Sequence, residues 1–214
     1  MNPIIKKIIA VLGSAFLLVL AYYGSYLPLK KSQAFIDALQ KTSSIHSTQE
    51  FYDTFAVPLG ITSPIGQEEL VRNTANTTLN IIQQFTPSQA DIIAALVSYL
   101  TAYYEPIFSY GKGMSFEQNL YVMGAINELS YVKTKNPNYL NAAHDYYERG
   151  RVLGPQRPQF LYGLFDVYRF KGDTAGVEKI GQQILSQWPN DTRTQDAMTE
   201  YFMTQVAPQV QDKK

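Results

Sequence analysis

Residues 137–191 read PNYLNAAHDYYERGRVLGPQRPQFLYGLFDVYRFKGDTAGVEKIGQQILSQWPND, and this stretch repeats itself at a fixed interval. Pro155 and Pro189 stand 34 positions apart, and each closes a run that reads as two short helices. The same shift carries Ala143 onto Val177, Leu164 onto Met198 and Tyr168 onto Phe202. A period of that size marks a helix–turn–helix unit that buries its apolar face only by stacking on a neighbour. Leu140, Ala143, Tyr147 and Gly150 fall on one face of the helix that opens at Pro137. Leu161, Leu164, Phe165 and Tyr168 do so behind Pro158, and Val177, Ile180, Ile184 and Leu185 behind the turn at Gly172-Asp173. A last helix from about Thr192 puts Met198 and Phe202 in the frame of another first helix, and covers the end of the stack.

Upstream, Ser115-Phe116-Glu117-Gln118 reads as the cap of a helix that buries Leu120, Met123, Ile126 and Leu129. Thr86-Pro87-Ser88-Gln89 starts a helix with Ile92, Ile93, Leu96, Val97, Leu100 and Tyr103 at 3.6-residue spacing, which Pro106 ends or kinks. Ser63-Pro64 reads as the start of the preceding helix. Ser47-Thr48-Gln49-Glu50 has the spacing of a capping box for a short helix stopping by Pro58-Leu59-Gly60. No alternating strand pattern of any length occurs, so the expected class is all-α.

The N-terminus carries a different signal. Lys6 and Lys7 precede an uncharged run from Ile8 to Leu29, closed by Lys30 and Lys31. As a helix it rises roughly 30 Å, enough to cross a bilayer's hydrocarbon core. Tyr22, Tyr23 and Tyr26 sit where rings and hydroxyls straddle an interface. A cleaved signal peptide is the rival reading, but the apolar run is long for one and no A-x-A-like site follows it. The expected layout is a basic N-terminus (1–7), a transmembrane anchor (8–29), a helical region of divergent helix pairs (32–114), repeats with a capping helix (115–207) and a disordered tail (208–214). The expected location is the cytoplasmic membrane, crossed once. Lysine pairs at both ends nearly balance, and the short basic N-terminus favours the cytoplasmic side, leaving the repeats extracytoplasmic.

Composition excludes several chemistries. Eighteen basic and eighteen acidic residues give zero net charge, against a nucleic-acid partner. The chain has no cysteine, hence no disulfide framework or thiol nucleophile. His46 and His144 are the only histidines and stand outside any zinc-binding pattern. No nucleophile elbow accompanies His144-Asp145, and Gly111-Lys112-Gly113 is too short for a phosphate loop. Glu68 and Glu69 diverge by about 100° on a helix and share no proton site. Asn76-Thr77-Thr78 and Asn190-Asp191-Thr192 match glycosylation sequons, a pattern frequent by chance. No catalytic residue, cofactor or metal is expected. An enclosed cleft with two carboxylates facing each other would reopen the question of an enzyme.

Ala143, Tyr147, Gly150 and Pro155 resemble the tetratricopeptide pattern of small residue, aromatic, small residue and closing proline. Leu161, Leu164, Tyr168 and Gly172-Asp173 resemble the next repeat's first helix and turn. Gly181, where an aromatic is usual, and Phe165, where a small residue is usual, depart from it. The resemblance implies a right-handed α-solenoid of antiparallel helix pairs whose first helices line a concave groove. Asn127, Tyr131, Tyr162, Asp166 and Arg169 are expected on that side, as a non-catalytic surface for a protein or peptide partner.

A looser resemblance covers more of the chain: Leu27-Pro28-Leu29, Ile65-Gly66-Gln67-Glu68-Glu69-Leu70 and Pro155-Gln156-Arg157-Pro158-Gln159-Phe160. Their order is similar to the C-terminal tail of bacterial O-antigen ligase or polymerase-like membrane proteins. That resemblance implies an accessory or split part of a cell-surface polysaccharide system, with a ligase or polymerase as partner. The multi-helix membrane domain that performs glycan transfer in that family has no counterpart in this sequence, so no catalytic residue carries over.

Overall fold

A computed structural model describes residues 2–113 and 115–211, with side chains to Thr204. Among the described residues every regular element is helical, as the missing period-two pattern requires. The chain forms two compact units, residues 1–77 with 94–110, and residues 78–93 with 111–214.

The first unit begins with α1 (Pro3–Ala21), in which no residue is buried. The helix is long and apolar enough to cross a membrane, a property that an anchor and a signal sequence share. It runs through a π-helical turn at Tyr22–Tyr26 into α2 (Leu27–Lys41). The turn has a local cause. Pro28 has no N–H to return to Gly24, so the ladder shifts register and the Leu27 amide reaches back to Tyr22. Tyr22 stacks on Tyr26 there, with ring centroids 5.5 Å apart.

α3 (Thr48–Gly60) is capped by Ser47, whose hydroxyl accepts from the Glu50 amide at 3.2 Å. The reciprocal bond falls one residue early, because the Glu50 carboxylate takes the His46 amide. α4 (Gln67–Gln84) starts three residues after the expected Pro64. Gly66 has φ +91°, a left-handed conformation no helix can run through, and its carbonyl accepts the first bond, from Leu70. α5 (Ala90–Tyr110) follows the capping box at Thr86 and continues through Pro106. Pro106 has no N–H to return to the carbonyl of Ala102, an exposed residue. Phe35, Phe51, Phe55, Leu59, Leu96 and Leu100 form this unit's core. Lys31 is buried beside it, its ammonium donating to the Ile61 carbonyl at 2.8 Å and to Gln67.

The second unit holds α6 (Phe116–Thr134), α7 (Pro137–Leu153), α8 (Pro158–Lys171), α9 (Thr174–Gln187) and α10 (Thr192–Gln211). Each packs on its neighbour in sequence, and α6 also touches α8. Ser115 makes no side-chain cap, so the expected capping box at α6 is absent. Asn136 and Asp173 do cap α7 and α9, and Gly172 turns the chain between α8 and α9 at φ +68°. α10 continues to Gln211 through the first residues of the expected tail, while 212–214 lie outside the described residues.

Glycines receive aromatic rings throughout this unit. The Tyr147 ring lies where a Cβ would stand on both Gly124 of α6 and Gly163 of α8. Phe160 fills the corresponding space at Gly150, and Tyr168 at Gly176. The two departures from the tetratricopeptide pattern have local explanations. Gly181 makes room for the Met198 thioether of α10, and Gly163 supplies the close approach that Phe165 does not.

Candidate functional site

In the second unit α6 and α8 each present one face to an open groove of about 390 Å³. Ala125, Glu128, Leu129 and Val132 line it from α6, with Tyr121 one turn earlier. Gln159, Tyr162, Gly163 and Asp166 line it from α8. The two sets are related residue for residue by the 34-position shift, and Arg193 of α10 follows Gln159 by the same step. Spacings of three and four residues keep each set on one helical face. Tyr147 reaches the groove from α7 between the two glycines, and Leu79 and Gln83 of α4 complete the wall.

Glu128 is the electrostatic centre. One carboxylate oxygen accepts a 2.7 Å bond from the Tyr147 hydroxyl. Desolvation raises the Glu128 pKa to about 7, and the Asp166 charge adds to the rise while the Tyr147 bond opposes it. Burial and the adjacent Glu128 carboxylate also push the Tyr147 phenol well above its ordinary value. Asp166 accepts from Arg169 at 3.1 Å. Among the described residues no cation stands within ion-pair distance of Glu128. At the α10 end, the Tyr162 hydroxyl donates to Asp191 at 2.7 Å and its ring stacks near Trp188. Hydrogen bonds from Thr194 and then Tyr162 hold the Asp191 carboxyl below the usual range.

The five residues expected on the groove separate. Tyr162 and Asp166 line it, and Arg169 reaches it only through Asp166, with its guanidinium over the Phe165 ring. Asn127 is turned inward, buried, and donates to the Met123 carbonyl at 2.8 Å. Tyr131 packs beside Phe170 with Lys135 over its ring. The displacement on α6 is one residue. Stepping back 34 positions from Tyr162 and Asp166 gives Glu128 and Val132, not Asn127 and Tyr131. The repeat interval thus carried the signal for Glu128.

Two carboxyl groups, one of them held protonated up to neutrality, could serve proton transfer or receive a cation. Among the described residues no cluster of three or more histidine, cysteine or acidic side chains could hold a metal ion. No protein-family model, curated protein or solved structure matches the chain.

Proposed function

We propose that the chain is a membrane-anchored, tetratricopeptide-like scaffold without catalysis of its own, whose groove holds a peptide segment of a protein partner. In this reading α6–α10 stack as a right-handed solenoid of antiparallel pairs, and α1 remains as a single-pass anchor with the repeats outside the cytoplasmic membrane. One observation carries it: the groove-facing residues of α6 and α8 recur at 34 positions on helices that touch across the groove wall. Tyr121 and Tyr162 give the lining large, rigid surfaces with polar tips, the side-chain type that dominates recognition. Tethering raises the effective concentration of such a groove for partners in or near the same membrane.

The test is a photo-crosslinking amino acid placed at Gln159 in the groove, and in a control at Asn141 on the exposed side of α7. A discrete adduct from position 159 alone, lost on Tyr162→Ala, is the expected result. Equal adducts from both positions, or none from 159, would overturn the scaffold reading. Since the chain has no cysteine, a single one introduced at Lys112 reports the side of the membrane through an impermeant maleimide. The intact N-terminal mass of the mature protein separates an anchor from a cleaved leader.

A further inference from the structure

We propose that the Glu128–Asp166 end of the groove receives an arginine side chain of the bound segment, with the guanidinium against the carboxylates and the tyrosine rings alongside. The inference rests on the scaffold reading and names what that groove selects.

Three observations lead to a cation. Glu128 is an acid sunk into a wall of the groove, with one hydroxyl donor on one oxygen and no ion-pair partner among the described residues. Asp166 lines the same wall one helix away, and its charge bears on Glu128. The charged and titratable groups around Glu128 are Tyr121 on its own helix, Tyr147 on α7, Tyr162 and Asp166 on α8 with Arg169 behind Asp166, and Arg193 on α10. Arg169 is engaged on Asp166, and Arg193 makes no ion pair with either carboxylate. When ionised, Glu128 therefore has a negative charge to offer that no resident cation takes, while the Asp166 charge beside it is shared with Arg169.

The choice of arginine over other cations comes from shape. Its planar guanidinium presents a fork of donors to carboxylates and stacks on aromatic faces, where an ammonium acts as a point charge. Tyr121 and Tyr162, both half-buried, line the same wall, with the buried Tyr147 ring behind it. A volume of about 390 Å³ exceeds one side chain, leaving room for the flanking segment.

Binding of a cation is linked to protons. Below neutrality the Glu128 carboxyl is neutral and the arginine must displace its proton. With a midpoint near pH 7, the ionised fraction falls about tenfold between pH 8 and pH 6, and the affinity follows it.

The experiment uses the full chain in lipid nanodiscs, labelled with 13C at glutamate carboxyls and tyrosine rings. The probes are the acetylated, amidated peptide Ser-Gly-Ser-Arg-Ser-Gly-Ser and its citrulline counterpart, which keeps the shape and lacks the charge. The expected result at pH 8 is saturable shifts of the Glu128, Tyr147 and Tyr162 signals, with the arginine peptide at least fivefold tighter. Affinity drops about tenfold at pH 6, and Glu128→Gln abolishes the preference. Should E128Q fail to fold, D166N carries the same test and is expected to weaken the preference. Equal binding of the two peptides overturns the arginine inference while leaving a peptide groove. No shift of the groove signals with either peptide overturns the inference together with the scaffold reading.

Discussion

Replacing Glu128 by Gln should make the second unit more stable at pH 8 than the parent chain, and about equally stable at pH 5. The argument begins with the carboxyl group's environment. An unfolded glutamate titrates at about 4.5, and burial in the groove wall moves the folded value to about 7. For an acid whose pKa rises on folding, the native state binds more protons between those two values. Stability therefore falls as pH rises through the window, and the penalty is complete above it. At about 1.4 kcal/mol per tenfold change in proton affinity, the gap between about 4.5 and about 7 sets an upper limit of about 3.5 kcal/mol. The open side of the groove admits solvent and raises the effective dielectric, which reduces this to about 1–2 kcal/mol. Gln keeps an acceptor for the Tyr147 hydroxyl and carries no charge to desolvate. Trp188 is the single tryptophan and sits beside Tyr162, so its fluorescence follows unfolding of this unit in urea. The stability difference between E128Q and the parent should grow by about 1–2 kcal/mol from pH 5 to pH 8. A difference flat across that range would refute the desolvation argument and with it the proton linkage of the groove.

Gly150→Ala places a methyl inside the fully buried Phe160 ring, and should cost about 1–3 kcal/mol despite alanine's better helix propensity. The loss should shrink in the Phe160→Leu background, and a double-mutant cycle by urea unfolding would detect no coupling if the two sites did not touch. Gly172→Ala meets no neighbouring atom, yet its φ of +68° predicts a cost of about 1 kcal/mol from backbone strain alone, readable as an earlier urea midpoint. Lys31→Met removes the donor to Ile61 and Gln67, and should speed amide hydrogen exchange in α2 and the start of α4, with a loss of about 1–3 kcal/mol. Unchanged exchange there would show that the buried ammonium contributes nothing to the first unit.

The four residues assigned inward on α7, Leu140, Ala143, Tyr147 and Gly150, are the four that the structure buries. That helix has one buried face, and a 3.6-residue period is sufficient to find it. α6 is different. Val122, Gly124, Asn127 and Ser130 are buried along with Leu120, Met123 and Ile126, while Leu129 is only partly covered. A helix covered on most sides has no single apolar stripe, so its amphipathic pattern does not locate the exposed groove face. Polar Asn127 then looks external, although its amide is satisfied by the Met123 carbonyl one turn back. The start of α4 was hidden for another reason. Pro64 favours a first helical turn, whereas the left-handed Gly66 that delays it is a backbone choice that composition does not display.

Fold and chemistry occupy different positions of the same repeat. Between α6 and α8 the glycine–aromatic contacts fix how closely the helices approach, and they do so off the strict interval: Gly124 and Gly163 are 39 positions apart yet share one Tyr147 ring. The groove lining keeps the 34-residue interval but changes residue type at every step, from Ala125 to Gln159 to Arg193, from Glu128 to Tyr162, and from Val132 to Asp166. Recurrence of position with divergence of side chain is what a single asymmetric ligand requires, since identical linings would offer each helix's contact twice. It also places Glu128, which has no ion-pair partner among the described residues, where the residue 34 positions on is a tyrosine. The groove lining is therefore directional, with carboxylates from α6 and α8 and Arg193 from α10. A segment bound in it should take one polarity, with its basic residue at the Glu128 end.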